Sequence, residues 1–155
     1  LEGDAAALVV AERLARDLGG EPFRLAPGSK PLYHAAACVA SNYLVALVDV
    51  ALGLFGRLGL ERRAAQEALW PLVEATLANL RALGPEEALT GPISRADLGT
   101  VRAHLLRLEE HDEKAAAVYR ALGVATVALA HRAGRIDVLQ AEALLGFLRG
   151  EKGNG

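Results

Sequence analysis

The chain has 155 residues, 52% of them hydrophobic and 23% charged, so it can bury the core of one domain and is not disordered. Its net charge is −2 and it has no dense run of lysine and arginine, which argues against a nucleic-acid-binding surface. Cys38 is the only cysteine and excludes an internal disulfide framework. No secretory signal pattern opens the sequence, so we expect a cytoplasmic protein.

The first 27 residues are typical of the end of an α/β unit. Asp4 can cap a helix that runs to about Leu18, and two glycines follow it. The next segment, "EPFRLAP" at 21–27, is bounded by prolines and predicts a short strand. A lone strand lacks partners for its backbone groups, and the chain begins at Leu1 and has no methionine. We therefore expect residues 1–27 to be the tail of an α/β unit whose amino-terminal part has been removed.

From residue 28 onward the periodicity predicts a mainly all-α, multi-helix bundle. The five predicted helices cover approximately residues 30–58, 61–83, 94–110, 112–134 and 137–150. Pro71 is expected to kink or divide the second helix, and residues 84–94 are expected to form a loop. Ser94 and Asp97 resemble a capping box, while Asp112 and Asp137 can cap the last two helices. We expect residues 151–155 to be a disordered tail.

The first helix of this bundle is long enough to raise the question of a membrane span. Its interior is largely apolar, and about 20 apolar residues suffice to cross a bilayer. Four polar residues interrupt it, however: His34, Ser41, Asn42 and Asp49. We therefore predict a central helix that is buried by its neighbours or by a second subunit, without a membrane.

One side of this helix carries several polar groups near its start. Lys30, His34, Cys38 and Ser41 fall on that side at the helical spacing, whereas Asn42 is expected on a flank. A lysine at a helix start is unfavourable, because the dipole is positive there. This misfit suggests a ligand-binding role, although a surface lysine with a half-buried histidine and an inert thiol remains a structural alternative.

A second candidate segment is "LTGPISRADLGTVRAH", residues 89–104. Thr90 and Gly91 lie in a tight loop before a helix start, and Arg95, Asp97 and His104 follow it. Arg95 could supply a forked donor to an anion or carboxylate, while an ordinary capped helix is the structural alternative. The four histidines are scattered without a ligand spacing, so we expect no metal site.

Three stretches, "KPLYHAAACVASNYLVAL", "LWPLVEATLANL" and "ALTGPISRADLGTVRAHL", resemble the C-terminal half of an oxidoreductase-like family that joins a Rossmann-like domain to DUF2520. That family is similar to the 6-phosphogluconate-dehydrogenase-like group. The resemblance implies a 6-phosphogluconate-dehydrogenase C-terminal-like helical domain over residues 28–150. It also implies that residues 1–27 are the helix-strand remnant of an α/β Rossmann domain.

The resemblance further implies roles for individual residues. Lys30 matches the lysine that begins the interdomain helix of hydroxyacid dehydrogenases, as general acid/base or alkoxide stabiliser, and His34 stands where their asparagine would be. The expected catalytic residues are therefore Lys30 and His34. The expected substrate-binding residues are Ser41, Asn42, Thr90, Gly91, Arg95, Asp97 and His104.

The implied parent protein uses NAD or NADP and acts on a small carbonyl or hydroxy-acid-like substrate as a homodimer. This sequence contains no G-x-G-x-x-G phosphate loop, so we expect no cofactor-binding residue in it and no activity of this chain alone. The alternative function is a non-catalytic helical dimerisation module or a dinucleotide sensor.

Overall fold

A computed structural model describes residues 1–150 of the chain. Within them it contains seven α-helices, one 3-10 helix and no strand, which confirms the predicted all-helical class. The helices are α1 (Ala5–Asp17), α2 (Lys30–Ala40), α3 (Asn42–Arg57), α4 (Arg62–Ala88), the 3-10 helix (Ile93–Arg95), α5 (Leu98–His111), α6 (Glu113–Arg132) and α7 (Val138–Arg149). The predicted tail, residues 151–155, lies outside the described residues.

The chain divides into an N-terminal unit, Leu1–Ala51, and a C-terminal unit, Leu52–Gly155. The N-terminal unit begins with α1, whose cap is Asp4 as predicted: its carboxylate accepts a hydrogen bond from the backbone N–H of Ala7 at 2.8 Å. The predicted domain boundary between residues 27 and 28 concerns the family's domains and stays a prediction.

The segment predicted as a strand, residues 21–27, is not a strand in the structure. It nevertheless makes two backbone hydrogen bonds with Leu1, whose amino group donates to the carbonyl of Phe23 and whose carbonyl accepts from the N–H of Leu25 at 2.7 Å. Leu1 therefore bonds to the residues on either side of Arg24, which is the hydrogen-bonding pattern of two parallel strands. A single such pair is too short for a ladder, and this is why no strand forms.

The long apolar helix of the sequence is broken at Ser41, whose φ is −117° and ψ −71°, and so becomes α2 and α3. No residue of α2 is buried, and Leu52 is the only buried residue of α3. The expectation that neighbouring helices of the same chain bury it is therefore wrong. Lys30–Arg57 is 28 residues long and contains an 18-residue window with a mean hydropathy of 1.8, which is the length and composition of a membrane span, but these two properties alone are weak evidence for one.

The core of the C-terminal unit is formed by α5, α6 and α7. Its most deeply buried large side chains are Val101, Leu105, Val127, Leu144 and Leu148. α6 lies between the other two helices, and it approaches α7 closely at Gly123, where an added Cβ would lie 2.7 Å from Cδ2 of Leu148. The absence of a side chain at this glycine therefore sets the spacing of the two helices.

The breaks between these helices differ in two places from the sequence prediction. The backbone stays helical at Pro71, where a kink or division was expected, and α4 is interrupted at Gly84 (φ 77°, ψ 171°), where the predicted helix 61–83 ends. Residues 85–88, predicted as part of a loop, are helical. The cap of α5 is Asp97 rather than Ser94, because Ala96 adopts a left-handed turn (φ 53°) after the 3-10 helix. The hydroxyl of Ser94 donates to the carbonyl of Gly91 instead.

Aspartates cap the three helices of the core. The Asp97 carboxylate accepts from both the hydroxyl and the N–H of Thr100, at 2.6 and 3.0 Å, and these bonds hold the pKa of Asp97 below its ordinary value. The Asp112 carboxylate accepts from the N–H of Ala115 and from the guanidinium of Arg57, which lower its pKa in the same way. A full capping box with Asp137 begins α7.

Arg120 joins the ends of three helices. Its guanidinium donates to the carbonyls of Phe147 and Leu148 in the last turn of α7, at 3.2 and 2.9 Å, and it also pairs with Glu109 of α5. Two backbone acceptors at the end of α7 are thereby satisfied by a side chain of α6.

We predict that two neighbouring leucines of α5 contribute very differently to stability, because only one of them lies in the core. Leu105 is 1% exposed and Leu106 is 59% exposed. We expect Leu105→Ala to lower the free energy of unfolding by about 2–5 kcal/mol, since it leaves a cavity. Leu106→Ala, the control, should change it by less than about 0.5 kcal/mol. Chemical denaturation measures both, and equal effects of the two variants would contradict this packing.

The caps predict a pH dependence of stability. Because the pKa values of Asp97 and Asp112 are lowered in the folded state, their contribution is present above the unfolded aspartate pKa of about 3.9 and is lost as the pH falls through the folded values. We expect the double variant Asp97→Asn and Asp112→Asn, whose amides still cap, to lose less Tm than wild type on acidification. Thermal unfolding from neutral to strongly acidic pH measures this, and parallel Tm curves would show that the caps do not contribute.

Candidate functional site

The N-terminal unit contains a cavity of about 510 Å³ that is lined by residues singled out from the sequence. Lys30, Tyr33 and His34 of α2 form one part of the lining, and Phe23 and Leu25 of the preceding segment form another. The two predicted catalytic residues therefore face the same space. This volume is within the range of about 300–1,000 Å³ that is usual for small-molecule sites.

Local sequence explains how Lys30 and His34 come together. Lys30 is the first residue of α2, and His34 follows one turn later on the same face. Ser29 occupies the N-cap without a side-chain hydrogen bond, and Pro31 lies in the first turn, where its missing N–H costs little. The N–H groups of this turn add positive potential to the Lys30 ammonium, a combination that suits an anion or a developing negative charge.

The remaining wall of this cavity is mainly apolar. The rings of Phe23 and Tyr33 meet edge to face, with centroids 5.7 Å apart. The two hydrogen bonds that Leu1 makes with Phe23 and Leu25 fix the backbone of this segment beside the two rings. The sequence did not single out Tyr33, although its place between Lys30 and His34 on a helix turn was a usable signal. A ligand here would meet the Lys30 ammonium, the His34 imidazole and the Glu21 carboxylate against a mainly apolar surface.

Beyond the cavity, α2 carries a row of polar side chains that extends to the helix break. Cys38 Sγ lies 3.6 Å from Nε2 of His34, and the amide of Asn42 donates to the same sulfur at 3.8 Å. The expectation that Asn42 lies on a separate flank is wrong, because residues 38 and 42 are one helical turn apart. Cys38 is half-buried, and Ser41 is exposed at the break.

The other predicted binding residues belong to the C-terminal unit. Thr90 and Arg95 are exposed, and Gly91 adopts a φ of 98° at the turn before the 3-10 helix. The Asp97 carboxylate is engaged with Thr100 as the cap of α5. Their role in substrate binding stays a prediction.

His104, the last predicted binding residue, has a partner that the sequence did not indicate. Its Nδ1 lies 3.0 Å from the hydroxyl of Tyr119, and the two rings are perpendicular at 5.9 Å. Burial raises the pKa of Tyr119, so its hydroxyl stays protonated. The two residues are 15 positions apart on different helices, so no local pattern could have revealed the pair.

A metal ion or a dinucleotide would need its own set of residues in the chain. Within residues 1–150, no group of three or more histidine, cysteine, aspartate or glutamate side chains is arranged to hold a metal ion. The sequence lacks the glycine-rich phosphate loop, so its residues do not form the site that the resemblance implies for a dinucleotide.

The comparisons with known proteins identify the family. No curated protein and no solved structure matches the chain. The model of one family, described as a domain of unknown function (DUF2520), matches residues 1–126, which is most of the sequence and includes both candidate segments. The chain belongs to the DUF2520 family.

Proposed function

We propose that this chain is the substrate-binding and dimerisation part of an NAD(P)-dependent oxidoreductase of the cytoplasm. Its substrate would be a small carbonyl or hydroxy-acid-like compound, with Lys30 and His34 as the catalytic residues. The observation that carries the proposal is the cavity in which these two side chains line the same space. The row of polar groups on α2 supports it, since Ser41 and Asn42 continue the row as candidate substrate-binding residues.

Lys30 has the chemistry that carbonyl reduction needs from the protein. Negative charge develops on the carbonyl oxygen as the carbonyl carbon is reduced, and an ammonium group beside it stabilises that charge or donates a proton to it. The positive end of α2 acts in the same direction. His34, one turn along the helix, would orient the substrate or relay the proton to solvent.

The dinucleotide would be held by a domain that this sequence does not contain. When bound, it supplies the hydride. The bonding of Leu1 with Phe23 and Leu25 supports this arrangement, because the pattern is that of neighbouring parallel strands. A parallel pair on either side of α1 is the unit from which dinucleotide-binding domains are built.

The predicted substrate-binding residues of the C-terminal unit are proposed on their own chemistry. Arg95 is the best suited, because an exposed guanidinium can bind a carboxylate with two parallel hydrogen bonds. Thr90 and Gly91 would contribute hydroxyl and backbone donors from the preceding turn. Asp97 would act by fixing the start of α5, and His104 by its imidazole.

The first functional test is Lys30→Ala in the parent protein. We expect it to lower turnover by about 100-fold or more, the usual contribution of a general acid, while cofactor affinity and Tm stay unchanged. The control is Lys114→Ala, an exposed lysine at the start of α6 that lines no described cavity. The assay follows oxidation of the reduced nicotinamide against a panel of small keto acids and aldehydes.

The outcomes of this experiment separate the candidate functions. Unchanged turnover in Lys30→Ala would refute the role of Lys30. Cofactor binding without turnover of any substrate in the wild-type protein would favour a dinucleotide sensor. Absence of both cofactor binding and turnover in the wild-type protein would favour a helical dimerisation module.

We also propose that the exposed apolar surface of α2 and α3 is covered by a second copy of the chain. Leu32, Val39, Tyr43 and Val45 are more than half exposed, an amount of apolar surface that a monomer in water rarely presents. The polar residues in the same stretch, including the exposed Asp49, favour a protein partner over a bilayer, where a charge is costly. The pairing of identical helices gives a closed dimer.

Val45→Glu tests this interface. Val45 is 70% exposed, and Leu139 of α7, at 76%, provides the control Leu139→Glu. In sedimentation velocity at micromolar concentration we expect wild type and Leu139→Glu to be dimers and Val45→Glu to be a monomer. A monomeric wild type, or flotation of the wild type with lipid vesicles, would refute the interface.

A further inference from the structure

The C-terminal unit contains a second cavity, of about 360 Å³, that the proposed function does not use as a separate site. Its apolar walls come from three helices or their ends. Leu54 of α3, Leu58 just after α3, Leu108 of α5 and the ring of Tyr119 of α6 supply them. A cavity with walls of this kind favours the apolar part of a ligand, because its burial removes apolar surface from water.

Apart from Tyr119, the cavity lining contains four charged or titratable side chains, and all four are basic. They are Arg57, His104, Arg107 and His111, and no carboxylate lines the cavity. The cavity is therefore lined by basic groups although the protein as a whole has a net charge of −2. Apolar walls lower the local dielectric and strengthen the attraction of such groups for an anion.

The two arginines are held in place by carboxylates that lie outside the lining. Arg57 donates to Asp112 at 2.8 Å, and Arg107 donates to Glu110 at 2.8 Å. Each ion pair uses only part of a guanidinium, which has five N–H donors in total. The remaining donors are available to a ligand, and the ion pairs reduce the conformational freedom that the arginines would lose on binding.

His104 is positioned by the wall of the cavity itself. The hydroxyl of Tyr119, which stays protonated, can donate to Nδ1 of His104 at 3.0 Å. In that tautomer the other ring nitrogen, Nε2, carries the proton and is a donor. Within residues 1–150, no hydrogen bond to this second nitrogen is present. Its N–H is therefore available for a ligand.

From these observations we propose that the cavity binds a small amphipathic anion, a carboxylate with an apolar tail. The tail lies against the leucines and the Tyr119 ring, and the carboxylate is bound by Arg107 together with His104 and Arg57. The site stands on the C-terminal unit alone. Of its residues only His104 is also a proposed substrate-binding residue, and the site requires neither the cavity of the N-terminal unit nor the proposed redox activity.

The experiment compares octanoate with its uncharged counterpart 1-octanol on the full-length protein, by ligand-observed saturation-transfer NMR titration. We expect octanoate to bind and 1-octanol to bind at least about tenfold more weakly, since a charge-assisted hydrogen bond contributes about 1.5–3 kcal/mol. Equal binding of the two compounds would show that the cavity is only apolar and would overturn the proposal.

Two matched variants locate the binding. Arg107→Gln removes the charge from the cavity, whereas Arg63→Gln removes one from α4, where Arg63 likewise pairs with a glutamate one turn later. We expect Arg107→Gln to weaken octanoate binding about tenfold and Arg63→Gln to leave it unchanged. Equal losses would show unspecific attraction, and no loss in Arg107→Gln would place the ligand elsewhere. Either result would overturn the site, whatever the outcome of the Lys30 assay.

Discussion

Packing around α6 is the constraint on which the C-terminal unit depends. α6 contacts α4, α5, α7 and the 3-10 helix, and its close approach to α7 requires a glycine at position 123. Val101 and Leu105 of α5 are buried in the core, and His104 lies beside them, where it contacts Tyr119 of α6. The same packing that forms the core therefore also places the basic residues along the second cavity.

The N-terminal unit follows a different principle. α1 and α2 contain no buried residue. The features that define this unit are local: a capped α1, an α2 with a proline in its first turn, and two backbone hydrogen bonds with Leu1. Its apolar surface is turned outward along α2 and α3. In our proposal this surface is an interface, and the cavity beside Lys30 lies at the start of the same helix. Assembly and substrate binding would then share one element.

Features that depend on a few neighbouring residues were predictable from the sequence. The caps at Asp4, Asp112 and Asp137 were found as expected, because an N-cap needs only a short polar side chain and an N–H two or three residues away. The placement of Lys30 and His34 on one face followed from helical periodicity. The helix that ends near Gly134 was also located correctly.

Features that depend on backbone conformation or on distant residues were not predictable. Pro71 was expected to kink or divide α4, yet proline has a helical φ and the backbone stays helical there; the interruption at Gly84, where φ is positive, lies at the predicted end of that helix. The cap moved from Ser94 to Asp97 because of a left-handed turn at Ala96, which propensity does not favour. The contact of His104 with Tyr119 joins two helices, so it arises only when α5 and α6 pack together.

The bonding of Arg120 has an evolutionary consequence. Its planar group reaches two successive carbonyls of α7 and one carboxylate of α5 at the same time. A lysine ammonium is a point donor on a flexible stem and cannot reproduce that geometry. We therefore expect few substitutions at this position within the family, because the geometry of its contacts is structural.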